Sequence, residues 1–235
     1  MPARKRRPSL SSLLVRLVAG GVLLAVVLSS AAVAALRWLD PPLTSVMLLE
    51  PGPFRDIHYA WLPRGRIAAT AAKAVIAAED QKFLDHNGFD LAEINKALQD
   101  FRAGDGLRGA STITQQVAKN LFLWQGRSFV RKGLEAYFAL LLETFLPKER
   151  ILEIYLNVAE FGPGVFGVGA AAQRLLGADA ATLTASQAAL LAAVLPSPKR
   201  LSAAQPSAYV RDRQAAILEQ MRLLEGRGHY RGLVW

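Results

Sequence analysis

The sequence predicts a mainly α-helical body preceded by one membrane-crossing helix, and three observations carry that prediction. Hydrophobic residues make up 52 % of the 235, helix-favouring Ala and Leu prominent among them, and no stretch shows the sustained alternation that builds a large sheet. Leu17 to Leu36 runs without a charge for about the 20 residues that a helix needs to cross a hydrocarbon core. The remainder divides into helix-length apolar patterns separated by Gly and Pro signals, in a length that fits one sizeable core plus an appendage.

The N-terminus comes first. Arg4, Lys5, Arg6, Arg7 and Arg16 lie in the first sixteen residues with no acid among them, so the formal charge of +9 falls to +4 for the rest of the chain. A basic cluster on one side only of an apolar span reads as the cytoplasmic end of a signal anchor. It needs no nuclear-targeting or nucleic-acid reading, because the adjoining span already explains it. Ala32-Val33-Ala34 fits an A-x-A cleavage site, but the apolar run is long for a cleaved signal peptide, which favours a retained anchor. Residues 1–16 are therefore read as a cytoplasmic tail and 17–36 as the anchor. Pro41-Pro42 and Pro51-Gly52-Pro53 break regular structure, so 37–63 reads as a stalk. The domain takes 64–235, with its body starting near Ile67. The absence of cysteine excludes a disulfide framework and thiolate metal sites.

Within the body, Ala71 to Ala78 is small, apolar and helix-like, and polar chemistry starts abruptly at Glu79. Counting back by four reaches Val75 and Ala71, so Glu79 extends a stripe that should face inward. A carboxylate there is costly unless it is paired or lines a wet cleft, and partial desolvation would raise its pKa as a general base requires. Phe83 and His86, at i+4 and i+7, should share that face. A helix end running into a turn at Asn87-Gly88 with ordinary surface charges is the plainer alternative.

Leu91 to Phe101 has helical spacing. The following Arg102 to Gly109 has three glycines in eight residues and is either a loop over a cleft or a plain surface connection. Thr112 to Gln115 fits a capping box opening a helix on which Gln116, Lys119 and Asn120 share a face. Ser128 is a candidate N-cap for the next helix, where Arg131, Lys132 and Glu135 fall on one side; by spacing alone a surface ion-pair network is the favoured account. Lys148 to Asn157 should be a short amphipathic helix after Pro147. The glycines at 162, 164, 167 and 169 should form a turn of close backbone approach. Ala170 to Leu176 resumes helix, Thr184 to Gln187 is a second capping box before an apolar helix ending at Pro196, and about Ser207 to Leu224 forms the last amphipathic helix.

The polar stretches, taken together, resemble a known family. Glu79-Asp80-Gln81-Lys82-Phe83 with His86, Gly88 and Asp90 resembles the first signature of the peptidoglycan glycosyltransferases, the lysozyme-like family that polymerises the cell-wall precursor lipid II. Gly109 to Asn120 resembles the second signature, Arg131 to Glu135 the third, Arg150 to Asn157 with Gly162, Gly164, Gly167 and Ala170 to Ala172 the fourth, and Ala188 to Pro198 the fifth. They stand in the family's order. The family's aromatic pair after the alanine run is replaced here by Leu175-Leu176, which bears on local packing.

This resemblance implies a lysozyme-like helical domain that joins disaccharide units carried on a polyprenyl diphosphate into a β-1,4 glycan with inversion. Spacing alone does not choose between Glu79, Asp80 and His86; the resemblance implies that Glu79 deprotonates the acceptor hydroxyl and that Glu135 is a second catalytic carboxylate near the donor diphosphate. Lys119, Arg127, Arg131 and Lys132 would surround that leaving group, where fixed cations meet a developing charge. Asp80, Phe83, His86, Ser111, Thr112, Gln115, Gln116 and Asn120 complete the implied substrate-binding set. A divalent cation, Mg or Mn, is implied as cofactor, with no ligand set readable.

Implied partners are lipid II, the growing glycan chain, membrane lipid and cell-wall synthesis or division proteins, with no nucleic acid; the implied location is the cytoplasmic (inner) membrane with the domain on the extracytoplasmic side. The apolar segment Leu121 to Trp124, followed by Phe129-Val130, should make partial contact with lipid. The rivals are a membrane-anchored lytic muramidase, which has no diphosphate to hold, and a non-enzymatic cell-wall scaffold. No Ser-x-x-Lys with a Lys-Thr-Gly box accompanies these signatures, so the resemblance is to the monofunctional form.

Overall fold

A computed structural model describes residues 10–50, 56–103, 111–126 and 128–235. These parts form α1 (Leu10–Ala35), α2 (Ser45–Leu48), β1 (His58–Tyr59), α3 (Ala69–Glu79), α4 (Leu91–Ala103), α5 (Ile113–Phe122), α6 (Phe129–Phe145), α7 (Lys148–Val158), β2 (Glu160–Gly162), β3 (Val165–Phe166), α8 (Val168–Leu176), α9 (Ala185–Val194) and α10 (Ala208–Gly226). The basic cluster Arg4 to Arg7, the prolines at 51 and 53, the glycine-rich linker from Gly104 and Arg127 lie outside the described residues.

Small side chains set the first layer. α3 buries Ala71, Ala72, Ala74 and Ala77, and α9 buries Ala188, Ala189, Ala192 and Ala193, so the two helices pack closely and α10 packs on both. α5, α6 and α7 pack on one another as the second layer. Tyr155, Phe83 and Phe161 are among the largest fully buried side chains joining the core. One device recurs at the helix starts: Thr112, Ser128, Thr184 and Ser207, among others, each accept a hydrogen bond from the backbone N–H three residues on.

At Thr184 the capping box is complete, Gln187 Oε1 accepting from Thr184 N at 3.0 Å. At Thr112 only half of the expected box forms, because the Gln115 side chain instead accepts from Lys132 Nζ at 3.3 Å. The glycine-rich turn is a hairpin: β3 lies between β1, parallel to it, and antiparallel β2. Gly164 turns it at φ +69, where a Cβ would stand 2.5 Å from the Asp56 carbonyl oxygen. Gly167, at φ +83, would meet the Asn157 carbonyl oxygen at 2.6 Å.

α1 is long and apolar enough to cross a membrane and starts at Leu10, ahead of the charge-free run. Its C-terminal third docks on α6, with Val33 buried and Ser29 Oγ 2.7 Å from the Tyr137 hydroxyl.

Where a stalk is expected, the described residues at 37–50 and 56–63 are held against the body. Arg150 donates to the carbonyls of Leu36 and Leu39 at 2.8 and 2.9 Å and pairs with Asp40. The Tyr59 hydroxyl donates to Pro41 O at 2.6 Å, and Val46 and Met47 are buried beside Phe166. The folded body therefore begins well before Ile67. Apolar Val46, Met47 and Ile57 between the prolines have a core to enter, which the proline signal conceals.

Candidate active site

Glu79 is the last residue of α3, and its position is set by where that helix stops. Asp80 leaves helical geometry (φ −162, ψ 78) because its carboxylate is committed elsewhere. Its Oδ2 accepts from Ile113 N at 3.0 Å, satisfying a free N–H at the start of α5, and its Oδ1 lies 2.9 Å from His86 Nε2. The helix therefore does not continue to Phe83 and His86, and neither shares the Glu79 face. Phe83 is fully buried with its ring edge against His86. Thr112, buried, donates to Gly88 O at 2.7 Å while capping α5. Asp80, Phe83, His86 and Thr112 thus form a buried joint linking the end of α3 to the start of α5.

Apart from Arg127, which lies outside the described residues, the rest of the predicted set converges. Glu79, Ser111, Gln115, Gln116, Lys119, Asn120, Arg131, Lys132 and Glu135 line one cleft of about 1010 Å³. Two centres of opposite charge are found in it. At the first, Glu79 is 13 % exposed and its Oε2 accepts from Gln116 Nε2 at 2.9 Å. The Gln116 amide is oriented in turn, because the buried Tyr155 hydroxyl donates to its Oε1 at 3.1 Å. Burial pushes the Glu79 carboxyl above its ordinary value; the Gln116 hydrogen bond and the charges of Arg213 and Lys119 oppose that rise, and Asp80 adds to it. A carboxyl so placed suits proton abstraction near neutrality. Burial raises the Tyr155 hydroxyl well above its usual range, so it stays a donor.

At the second centre, Glu135 is 4 % exposed, with Arg131 Nη1 2.7 Å from its Oε2 and Lys132 on its Oε1. Burial excludes the expected surface network. Arg131, Lys132 and Glu135 do share one face of α6, and that face turns inward to the cleft. Lys119 faces the same charges: burial lowers its pKa most, Glu135 and Glu79 raise it, and Arg131 and Lys132 lower it further. Three cations sharing one carboxylate leave a net positive pocket able to hold a multiply charged anion. Among the described residues no three His, Cys, Asp or Glu side chains converge, and Glu135 has both oxygens engaged. The cations that line this cleft for charge stabilisation are Lys119, Arg131 and Lys132.

Tyr155, Arg213, Glu160 and Lys199 also line this cleft, and the sequence alone assigns them no role. Tyr155 belongs to the stretch Arg150 to Asn157, but nothing in its spacing shows that its hydroxyl reaches α5. Arg213 comes from α10, with Nη2 3.6 Å from Glu79 Oε1. Glu160 and Lys199 line the far wall, where burial raises the Glu160 carboxyl and Lys199 lowers it while itself pairing with Glu50. The segment expected to touch lipid divides in two. Leu123 is buried and Phe122 stacks on Phe138 with centroids 4.4 Å apart. Trp124, Val130 and Phe129 are exposed, Phe129 to 97 %.

Comparison with known proteins agrees with this geometry. The family described as Transglycosylase matches residues 51–222, a range containing every residue of the cleft named above except the neighbouring Glu50. Biosynthetic peptidoglycan transglycosylases are similar over nearly the whole chain. That of Stutzerimonas stutzeri A1501 is 52 % identical over 227 residues, covering 94 % of this chain and 90 % of the relative. That of Xanthomonas campestris pv. campestris B100 is 50 % identical over 235 residues, covering 97 % and 94 %, and that of Pseudomonas aeruginosa PAO1 is 52 % identical over 200 residues, covering 83 % and 86 %. A family match across most of the body, joined to relatives half identical over their own length, shows that this chain belongs to the transglycosylase family.

Proposed function

We propose that this protein polymerises lipid II into β-1,4-linked glycan strands by inverting transfer, Glu79 acting as the base and Lys119, Arg131 and Lys132 receiving the polyprenyl diphosphate. The observation that carries this reading is the pairing, in one cleft, of an isolated carboxyl raised by burial with a separate cluster of cations. Glu79 takes the proton of the acceptor hydroxyl as its oxygen attacks the donor sugar carbon. The bond from that carbon to the diphosphate breaks on the opposite face, which inverts the centre. Charge then grows on the departing phosphate, where Lys119, Arg131 and Lys132 gain more from it than from the bound substrate. Glu135 holds Arg131 and Lys132 in place between turnovers. Arg127 is assigned to the same leaving group by resemblance. Ser111, Gln115 and Asn120 line the wall along which sugar hydroxyls lie, and Asp80, Phe83, His86 and Thr112 serve substrate binding by fixing the α3–α5 joint.

The anchor and the apolar surface support a single-pass protein of the cytoplasmic membrane with its body on the extracytoplasmic side, since the basic residues lie only ahead of the span. Trp124, Phe129 and Val130, near the end of α5 and the start of α6, would rest in the lipid interface where the substrate's polyprenyl chain resides. A divalent cation and cell-wall division proteins stay proposals from the resemblance alone.

The test is to incubate the full chain with lipid II and separate products by size. Glu79→Gln keeps the shape and removes the basic oxygen, so polymer formation should fall by about 10² to 10⁴-fold, the usual contribution of a general base. A loss below about tenfold would move the role elsewhere, and cleaved fragments from preformed glycan would establish a lytic enzyme instead.

A further inference from the structure

We propose that Arg213, on α10, is a positioning residue that keeps Glu79 in its carboxylate form while leaving Glu79 Oε1 free to take the proton. The inference rests on the assignment of Glu79 as the base and adds to it a residue from a helix outside the signature stretches.

The two carboxylate oxygens of Glu79 are in different situations. Oε2 is occupied by the Gln116 amide at 2.9 Å. Oε1 has Arg213 Nη2 at 3.6 Å, which is near enough for charge attraction and too long for a hydrogen bond. A guanidinium at hydrogen-bond distance would occupy the lone pair that a base needs. At this distance it favours the anion and leaves the lone pair open. Gln116, oriented by Tyr155, fixes the carboxylate plane from the other side.

Arg213 is not explained as an ordinary structural ion pair. Among the described residues, Glu79 is the one carboxylate within ion-pair distance of it, and its Nε is buried without a hydrogen-bond partner. A buried N–H with no acceptor is costly to the fold, and here the side chain that carries it stands on the wall of the reaction cleft. The other charged or titratable groups around Glu79 cannot substitute for it. Lys119, from α5, acts on Glu79 less strongly than Arg213 does and is shared with Glu135. Tyr155, from α7, stays neutral. Asp80, the next residue on the chain, repels the anion and is committed to His86 and Ile113. α9 carries no ionisable side chain.

The experiment is the pH dependence of kcat and KM for lipid II polymerisation by the full-length chain in detergent, for wild type, Arg213→Gln, Arg213→Met and Arg213→Lys, with Glu79→Gln in parallel. Removing the charge should move the acidic limb of kcat to higher pH. The loss at the acid end should exceed that on the plateau by about two- to fivefold, the scale of one partly solvated ion pair. KM should change little, and Arg213→Lys should restore the limb.

A loss equal at all pH values, a rise confined to KM, or an unmoved limb would overturn the inference, since each describes a substrate contact or a bystander. Collapse of the thermal transition in both neutral variants would overturn it too, by making the pair structural. If Glu79→Gln is itself active, the base assignment fails first; if it is inactive while the Arg213 profiles stay parallel, only the role of Arg213 falls.

Discussion

Replacing Glu135 by Gln removes the anion that Arg131 and Lys132 share while keeping the side-chain shape, and the structure sets the size of the effect. The Lys132 side chain is 49 % exposed, so solvent screens its pair to about 0–1 kcal/mol. The Arg131 side chain is only 12 % exposed. Breaking a buried pair from one side costs about 3–5 kcal/mol, and the Gln oxygen still accepting from Arg131 keeps this near the lower end, for a total of about 3 kcal/mol. For a folded body of this size, where 1 kcal/mol moves the midpoint by about 2–4 °C, the melting temperature should drop by about 6–12 °C.

Thermal unfolding of the detergent-solubilised chain measures this directly. Inorganic pyrophosphate, an anion that meets the uncompensated cations, should then raise the midpoint of Glu135→Gln more than that of wild type. A variant that melts within about 1 °C of wild type and gains nothing extra from pyrophosphate would refute the reasoning, because Glu135 would not then be holding the cations.

Glu79→Gln should be at least as stable as wild type above neutrality. Burial raises the Glu79 pKa, so between its unfolded and folded values the folded state binds more protons; that stability is present at low pH and lost as pH rises through the folded value. Melting temperature against pH should therefore decline more steeply for wild type than for the variant across that window, and parallel curves would count against the burial. Activity should fall on the alkaline side below the usual lysine range, because the buried Lys119 loses its proton early; Lys119→Arg, which stays charged, should move that limb upward, and an unmoved limb would assign it to another group. Tyr155→Phe should reduce kcat several-fold for about 1 kcal/mol of stability, since Gln116 loses the hydroxyl that orients it; an unchanged kcat would show that Gln116 needs no such guide. Trp124→Ser with Phe129→Ser should leave the melting temperature intact and weaken liposome binding, and loss of folding would place these exposed residues in a core.

What the sequence by itself determined was local and periodic. The apolar stripe of α3 ending in Glu79, the hydroxyl N-caps at Thr112, Ser128 and Thr184, the close-approach glycines and the charge-free span each depend on residues within a turn or two, where backbone sterics and hydrogen-bond satisfaction act. The order of the polar stretches carried the family. Tertiary structure decided the relations between distant segments. Whether Arg131, Lys132 and Glu135 form a solvated network or a buried charge centre depends on which way α6 faces, and helical spacing is the same in both cases. Residues 37–63 look like a stalk until a core is present to receive Val46 and Met47. Phe83 and His86 leave the Glu79 face because Asp80 finds the N–H groups opening α5, a partner from another segment. Arg213 reaches Glu79 only because alanine-rich α3 and α9 pack closely enough for α10 to lie against them, and no local pattern records a contact made by packing.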